Sequence, residues 1–177
     1  MENSPHDSQG AVATADPVAA ESFLAHGRIS QLSISPGGVP KRSTPLAVVG
    51  PLGLDGDTHR GAGHGGPERA VCLFSLDVIE RLQQEGHPIA PGTVGENVTV
   101  AGLDWSLVQP SSRLYLGDEV VLEVTRFTTP CVNIVDSFAD GKFERILQQR
   151  HPGESRVYTR VLRGGAVRVG DTVGLVE

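Results

Sequence analysis

Apolar residues recur along this chain in short stretches, most of which alternate with polar residues at a period of two. The stretches lie at residues 28–34, 46–49, 70–74, 96–100, 113–116, 119–127, 158–162, 166–169 and 173–176. Such alternation is typical of half-buried β-strands, whose side chains point to opposite faces of a sheet. The pairs Gly117-Asp118 and Gly170-Asp171 stand between stretches and predict turns. The pattern therefore predicts many short strands joined by turns.

Two segments are compatible with an α-helix instead. Residues 76–85 place apolar side chains at every third position, with Ser75 positioned to cap the helix and Gly86 to end it. Residues 138–149 can form a second helix. Strands and helices do not alternate, which argues against a doubly wound sheet. We therefore predict a mainly β protein, a β-barrel of short, mostly antiparallel strands with about two peripheral helices.

The beginning of the chain differs in composition from the rest. It is rich in alanine, serine, proline and aspartate and lacks a usable period until Phe23-Leu24. Such segments bury too little apolar surface to fold. We predict a disordered N-terminal tail over residues 1–25 and one barrel domain over residues 26–177. The length of 177 residues and the hydrophobic content of 38% suit a single core.

Charge, apolar run length and cysteine usage argue against several classes of protein. The net charge is −6 at pH 7, whereas nonspecific nucleic-acid binding requires a basic surface. No apolar run approaches the roughly 20 residues needed to span a bilayer, and the acidic N-terminus does not resemble a signal peptide. The two cysteines form neither a disulfide framework nor a CxxC metal motif. We expect a cytoplasmic protein without nucleic-acid or membrane partners.

The two cysteines occur in contrasting surroundings. Cys72 lies inside an apolar run, where we expect it to be buried and inert. Cys131 follows the predicted strand 119–127 directly after Pro130, which has no N–H to continue a ladder. Because thiol chemistry depends on access, Cys131 is the candidate reactive residue. The alternative, that Cys131 is a small buried hydrophobe, stays open.

Two polar clusters lie between the predicted strands. Residues 53–69 are rich in glycine, histidine, aspartate and arginine. Glycine lets backbone N–H groups approach an anion, and Arg60 or Arg69 can bind a phosphate through the guanidinium. In the second cluster, a glycine turn leads into Glu96 and Asn97, which suits either a ligand contact or a capped turn. We therefore consider both clusters candidate ligand-binding segments.

The first cluster also raises the possibility of a metal site. His59 and His64 lie five residues apart, with Asp55 and Asp57 nearby. Catalytic zinc usually has three protein ligands, and nothing in the sequence fixes a third ligand here. The sequence leaves this alternative open.

Taken in order along the chain, these clusters resemble the MOSC family, named for the C-terminal domain of molybdenum cofactor sulfurase. The matching pieces are Gly53-Leu54-Asp55-Gly56-Asp57, His64-Gly65-Gly66, Arg69-Ala70-Val71, Gly95-Glu96-Asn97-Val98-Thr99-Val100, Leu116-Gly117-Asp118, Pro130-Cys131 and Tyr158-Thr159-Arg160-Val161-Leu162. The resemblance covers about residues 27–177 and implies a β-barrel, in agreement with the strand pattern.

The resemblance also implies a cofactor and a set of site residues. Cys131 matches the key cysteine of the family, which implies a catalytic residue that ligates molybdenum or carries sulfur. The implied cofactor is the pterin-based molybdenum cofactor, and some stand-alone members resemble reductases of N-hydroxylated compounds. By this resemblance, the cofactor phosphate is expected at Lys41, Arg42, Arg60 and Arg69, and the pterin or substrate pocket at Asp57, His64, Glu96 and Asn97.

The expected partners are a small-molecule substrate and a separate protein. The sequence contains no iron–sulfur or flavin motif, so electrons for a reductase must come from an electron-donor protein. Pyridoxal phosphate is not expected, because the sulfurase binds it in a different domain. Two alternatives remain open at this point: a carrier that holds a persulfide on Cys131 and receives sulfur from a donor protein, or a non-catalytic ligand-binding barrel.

Overall fold

The computed structural model of the protein describes residues 22–58 and 65–177, and strands form its framework. The strands are β1 Ala25–Ile34, β2 Arg42–Thr44, β3 Leu46–Gly50, β4 Gly53–Leu54, β5 Val71–Ser75, β6 Val98–Ala101, β7 Arg113–Leu116, β8 Val120–Phe127, β9 Val157–Arg163, β10 Gly165–Arg168 and β11 Thr172–Val176.

Seven of these strands form a closed barrel. Their order is β11-β7-β8-β9-β5-β6-β1, and β11 pairs again with β1, so that the sheet closes on itself. Strand β1 pairs with β6 through residues 28–32 and with β11 through residues 25–28. In the described part of the chain, β5 and β6 are the parallel pair of the barrel. The predicted β-barrel of mostly antiparallel strands is confirmed.

The barrel interior is filled by the apolar positions of the alternating pattern. In β7, Leu114 and Leu116 are fully buried, whereas Arg113 points outward and is exposed. Leu122 on β8 and Leu175 on β11 are buried in the same core. Burial of each such side chain stabilises the fold by about 1.5–3 kcal/mol. Strands β10, β3 and β4 form a smaller sheet beside the barrel.

The predicted first helix is present as α1, Leu76–Gln84, packed against β5 and β6. The Ser75 hydroxyl accepts a hydrogen bond from the Val78 N–H at 3.3 Å, which satisfies one free donor of the first turn. Val78, Ile79 and Leu82 are buried on one face. Gly86 follows the helix with φ of 93°, a conformation that ends it.

The predicted second helix over residues 138–149 does not form as an α-helix. The chain makes short 3₁₀ turns instead, at Val132–Ser137, Ala139–Gly141 and Phe143–Ile146. Asp140 and Gly141 have φ of 54° and 65°, in the left-handed region. An α-helix cannot continue through two such residues, so the segment after Cys131 remains a series of turns.

Most of the predicted N-terminal tail lies outside the described residues. Near the first described residue, the Leu24 N–H donates to the Leu175 carbonyl at 2.8 Å, and β1 starts at Ala25. The barrel framework therefore includes residues at the end of the segment predicted as tail. In the described part of the chain, no helix is long and apolar enough to cross a membrane.

Candidate functional site

A cleft of about 400 Å³ opens at one end of the barrel. It lies where β8 ends and β9 and β6 begin, and the connection from β1 to β2 contributes to its lining. Its polar lining includes Cys131, Cys72, Lys41, Arg156 and Tyr158. The volume falls within the range of roughly 300–1,000 Å³ that is typical of small-molecule sites.

Cys131 lies on the cleft wall because the β8–β9 pairing ends just before it. The Thr128 N–H donates to the Arg156 carbonyl at 2.9 Å, which prolongs the ladder, and Pro130 then has no N–H to continue it. Cys131 has extended backbone, and its carbonyl accepts the Ile134 N–H as the first 3₁₀ turn begins. The thiol is half-buried in the cleft lining, as the sequence predicts for a residue at the end of this strand.

Cys72 lines the same cleft from β5. It is the register partner of Tyr158 on β9, so the two side chains lie on the same face of the sheet. Cys72 is only 4% exposed, and burial raises the pKa of its thiol to about 11. The thiol is therefore protonated at neutral pH. Sequence reasoning correctly predicts a buried cysteine here but does not predict that it contributes to the cleft.

Lys41 lines the cleft and forms a buried ion pair with Asp57. Its Nζ lies 2.5 Å from Asp57 Oδ2, and the two side chains are 6% and 2% exposed. The Asp57 carboxylate also accepts hydrogen bonds from the Ser35 N–H and from Asn97 Nδ2, each at 2.8 Å. Asp57 thus fixes the position of Lys41 and balances its charge inside the protein.

Glu96 and Asn97 lie behind the cleft wall. Asn97 Oδ1 accepts the Cys72 N–H at 3.1 Å, and its Nδ2 also donates to the Ser33 carbonyl. Glu96 Oε1 accepts the Gly92 N–H at 2.6 Å, while its Oε2 is buried without a partner. Burial raises the pKa of Glu96 above its ordinary value. Both side chains are used in holding the wall together, and neither lines the cleft.

Arg156 is a cleft residue that the sequence reasoning missed. It directly precedes β9, and its side chain is 6% exposed although it carries a charge. Nη1 donates to the Val94 carbonyl, and Nε is buried without a partner. Only the register of β8 and β9 brings Arg156 beside the segment of Cys131, and no local pattern encodes that register. The sequence signal that could have identified Arg156 is its position, as a basic residue, just before a predicted strand.

Tyr158 lies close enough to both cysteines for their thiolate forms to affect its pKa. Burial raises the pKa of its phenol, Cys72 and Cys131 act in the same direction, and the cations of Arg156 and Arg69 oppose them. The net shift is upward, so the phenol keeps its proton at neutral pH. Tyr158 therefore contributes a hydroxyl donor to the cleft that Cys131 also lines.

The remaining predicted site residues lie elsewhere. Arg42 is exposed on β2, and Arg69 ends the 3₁₀ turn Pro67–Arg69; neither lines the cleft. Arg60 and His64, like His59, lie outside the described residues. Among the residues that are described, no group of three histidine, cysteine, aspartate or glutamate side chains is arranged to hold a metal ion.

Comparison with known proteins identifies relatives for most of the chain. A family model described as MOSC domain matches residues 60–174. A protein named "Reductase" from Gibberella moniliformis is 33% identical over 130 residues, which are 71% of this chain and 23% of the fungal protein. The uncharacterized protein YflK of Bacillus subtilis is 33% identical over 115 residues, which are 64% of this chain and 51% of YflK. The matches thus span about a quarter and about half of these two relatives.

Solved structures share the fold. The crystal structure of the YUAD protein from Bacillus subtilis has a TM-score of 0.66 at 19% identity and covers 87% of this chain and 98% of its own. The crystal structure of YiiM from Geobacillus stearothermophilus has a TM-score of 0.65 at 22% identity and covers 85% of this chain and 75% of its own. At 19% and 22% identity, these matches show that the barrel fold is shared.

Proposed function

The chain belongs to the MOSC domain family, and from this premise we propose that it binds molybdenum cofactor through Cys131 and reduces N-hydroxylated compounds. The electrons come from a separate donor protein. The relative named "Reductase" supports the reductive half of this proposal. Both cysteines are free thiols, which suits the reducing cytoplasm that we propose as the location.

The observation that carries the proposal is the position of the Cys131 thiol. It is half-buried on the wall of a cleft that is large enough for a small-molecule ligand. Thiolate is a soft ligand of the kind that binds transition metals. The Lys41 ammonium in the same cleft is paired with Asp57 but keeps further N–H donors that a phosphate oxygen can accept from. The residues present therefore fit the cofactor that the family implies.

We assign the other residues by where they lie. Lys41 contacts the cofactor phosphate, and Asp57 and Asn97 act by holding Lys41 and the Cys72 backbone in place. Glu96 supports the turn that precedes β6. A phosphate contact from Arg60 and a pocket contact from His64 remain part of the proposal, whereas Arg42 and Arg69 do not line the cleft and are not assigned to it.

The proposed reaction consumes two electrons and two protons for each N–O bond. A hydroxylamine R–NH–OH becomes R–NH₂, and the oxygen leaves as water. Bound molybdenum cofactor would supply the two-electron redox chemistry at the end of the Cys131 side chain. In this proposal the Tyr158 phenol, which lines the cleft and is protonated at neutral pH, donates a proton to the departing oxygen.

The first test is metal content after expression in a host that makes molybdenum cofactor. We expect about one molybdenum atom per parent chain and near-complete loss of the metal in Cys131→Ala, because the mutation removes the soft ligand. Elemental analysis of the purified proteins measures this directly. Reductase assays with an added electron donor follow from a positive result.

The matched control is Cys72→Ala. Cys72 lines the same cleft, but its buried thiol has a pKa of about 11 and is a poor source of thiolate. We expect this variant to keep its molybdenum. Metal retained by Cys131→Ala, or absent from all three proteins while the host makes cofactor, would contradict the proposal. In the second case, an extra sulfur atom on the Cys131 peptide in mass spectrometry would identify a persulfide carrier.

A further inference from the structure

Among the described residues, Lys41 and Arg156 are the buried cations that line the cleft, and of these two Lys41 has a carboxylate partner. Lys41 lies 2.5 Å from Asp57, whose two oxygens also receive hydrogen bonds from Ser35 and Asn97. Arg156 has no carboxylate within ion-pair distance among the described residues, and its Nη1 donates to the neutral Val94 carbonyl. The positive charge that the cleft offers to a ligand therefore belongs mainly to Arg156.

Glu96 is the buried carboxyl that acts on the same region. Its Oε1 is occupied by the Gly92 N–H and the Thr99 hydroxyl, and no ion pair joins it to Arg156. Burial raises the pKa of Glu96, which favours its neutral form. Glu96 is therefore poorly suited to neutralise the guanidinium.

Burial of an unpaired guanidinium is costly for a protein. Removing such an ion from water is unfavourable unless a group of opposite charge accompanies it, and a bound anion is such a group. Arg156 is nine-tenths buried, lines the cleft wall, and keeps Nε without a partner. A planar guanidinium matches the geometry of carboxylate, sulfonate and phosphate oxygens. A buried guanidinium on a cleft wall is therefore suited to bind an oxyanion.

We propose that the cleft contains an anion subsite in which Arg156 binds an oxyanion group of the ligand beside Cys131. The ligand class is a small molecule with a carboxylate, sulfonate or phosphate next to the group that meets the thiol. The subsite lies in the cleft of the proposed function, but it does not depend on Cys131 being a metal ligand. It serves equally well if Cys131 performs other chemistry.

The reactivity of Cys131 toward two alkylating agents tests the subsite without any cofactor. Iodoacetate and iodoacetamide attack the same thiolate with the same leaving group, but only iodoacetate carries a carboxylate. The pKa and the exposure of the thiol affect both rate constants equally, so the ratio of the two rate constants depends on the charge around Cys131. The measurement uses full-length Cys72→Ala protein, so that Cys131 is the thiol that reacts, from a host that cannot make molybdenum cofactor.

We expect the iodoacetate-to-iodoacetamide ratio to be at least about fivefold higher than for 2-mercaptoethanol, an otherwise uncharged thiol, because a nearby buried cation attracts the carboxylate. Arg156→Gln should lower the ratio to near that of 2-mercaptoethanol. Arg113→Gln removes an equal charge from an exposed position on β7 and should leave the ratio unchanged. A parent ratio equal to that of 2-mercaptoethanol would overturn the proposal even if Arg156→Gln does not fold.

Molybdenum content then distinguishes two sources of the oxyanion. If Arg156 binds the phosphate of the cofactor, Arg156→Gln made in a cofactor-producing host loses most of its metal. If Arg156 binds an anionic substrate, the variant keeps its metal but loses the alkylation preference. A failure of the alkylation test leaves the Cys131 metal test unaffected, so the two proposals can fail separately.

Discussion

At the scale of single residues, Glu96 shows how burial can make the stability of this protein depend on pH. Burial raises the pKa of the folded carboxyl above its ordinary value of 4.5. Folded Glu96 therefore keeps its proton over a pH range in which the unfolded chain has lost it. With the native state binding more protons, stability falls as pH rises above that ordinary value, until the folded carboxyl also ionises.

Glu96→Gln should reduce this dependence. The amide keeps an oxygen for the Gly92 N–H and cannot ionise, so the fall in unfolding free energy from about pH 5 to about pH 8 should be smaller than in the parent. Urea denaturation at the two pH values measures the difference. Glu80→Gln, at an exposed position on α1, serves as the control. Identical pH slopes for the parent and Glu96→Gln would show that Glu96 does not retain its proton.

The candidate site could be predicted from sequence only where a local signal marks a residue. Cys131 follows a strand and a proline, which marks it in the sequence, whereas Lys41 was expected through the family resemblance; both line the cleft. Arg156 and Tyr158 reach the cleft through the pairing of β9 with β8 and β5. That register depends on residues far apart in the chain, which local periodicity does not encode.

At the scale of elements, a network of charges joins α1 to the turns that follow Cys131. The Arg145 guanidinium donates to both oxygens of Glu85, at 2.7 and 2.8 Å, and also to Glu154, which in turn pairs with Arg81. The hydrogen bond from Arg145 lowers the pKa of Glu85. This stabilisation is present above the ordinary glutamate pKa and is lost as pH falls through the lowered value.

Arg145→Gln should therefore destabilise the protein at neutral pH by about 1–2 kcal/mol, because bidentate charged hydrogen bonds are lost at a partly exposed site. The effect should shrink in about 1 M sodium chloride and in acid, where Glu85 is protonated. Lys142→Gln, on the same segment, removes one partner of an exposed pair with Asp140 and should change stability by less than about 0.5 kcal/mol. An equal loss in both variants would contradict a specific role for the network.

Most elements of the fold could be predicted because their alternation of apolar and polar residues extends over enough positions to show a period. The ten-residue alternation of β1 and the capped helix α1 are examples. Strands β2 and β4 have three and two residues, too few for a period to appear. The turn at Asp140 ends the predicted second helix through its backbone conformation, and the composition of residues 138–149 does not signal that conformation.

At the scale of the whole molecule, β1 is the strand that closes the barrel. It pairs with β6 along one part of its length and with β11 along another, and Gly27 lies close to where the two pairings meet. A Cβ at Gly27 would lie 2.7 Å from the Ala101 carbonyl oxygen and 2.9 Å from Leu103 Cβ. The closure therefore depends on the close approach of two backbones, which only glycine permits.

Gly27→Ala should weaken the entire fold, because the clash can be relieved only by moving backbone at the seam of the barrel. We expect a loss of about 1–3 kcal/mol, which for a chain of this length corresponds to a fall in Tm of about 3–10 °C. Gly50→Ala is the matched control: its nearest neighbour would be the Gly53 carbonyl oxygen at 3.9 Å, an ordinary contact. Thermal unfolding followed by circular dichroism compares the two variants with the parent. Equal melting temperatures for Gly27→Ala and Gly50→Ala would show that the seam tolerates a side chain and that closure does not depend on this glycine.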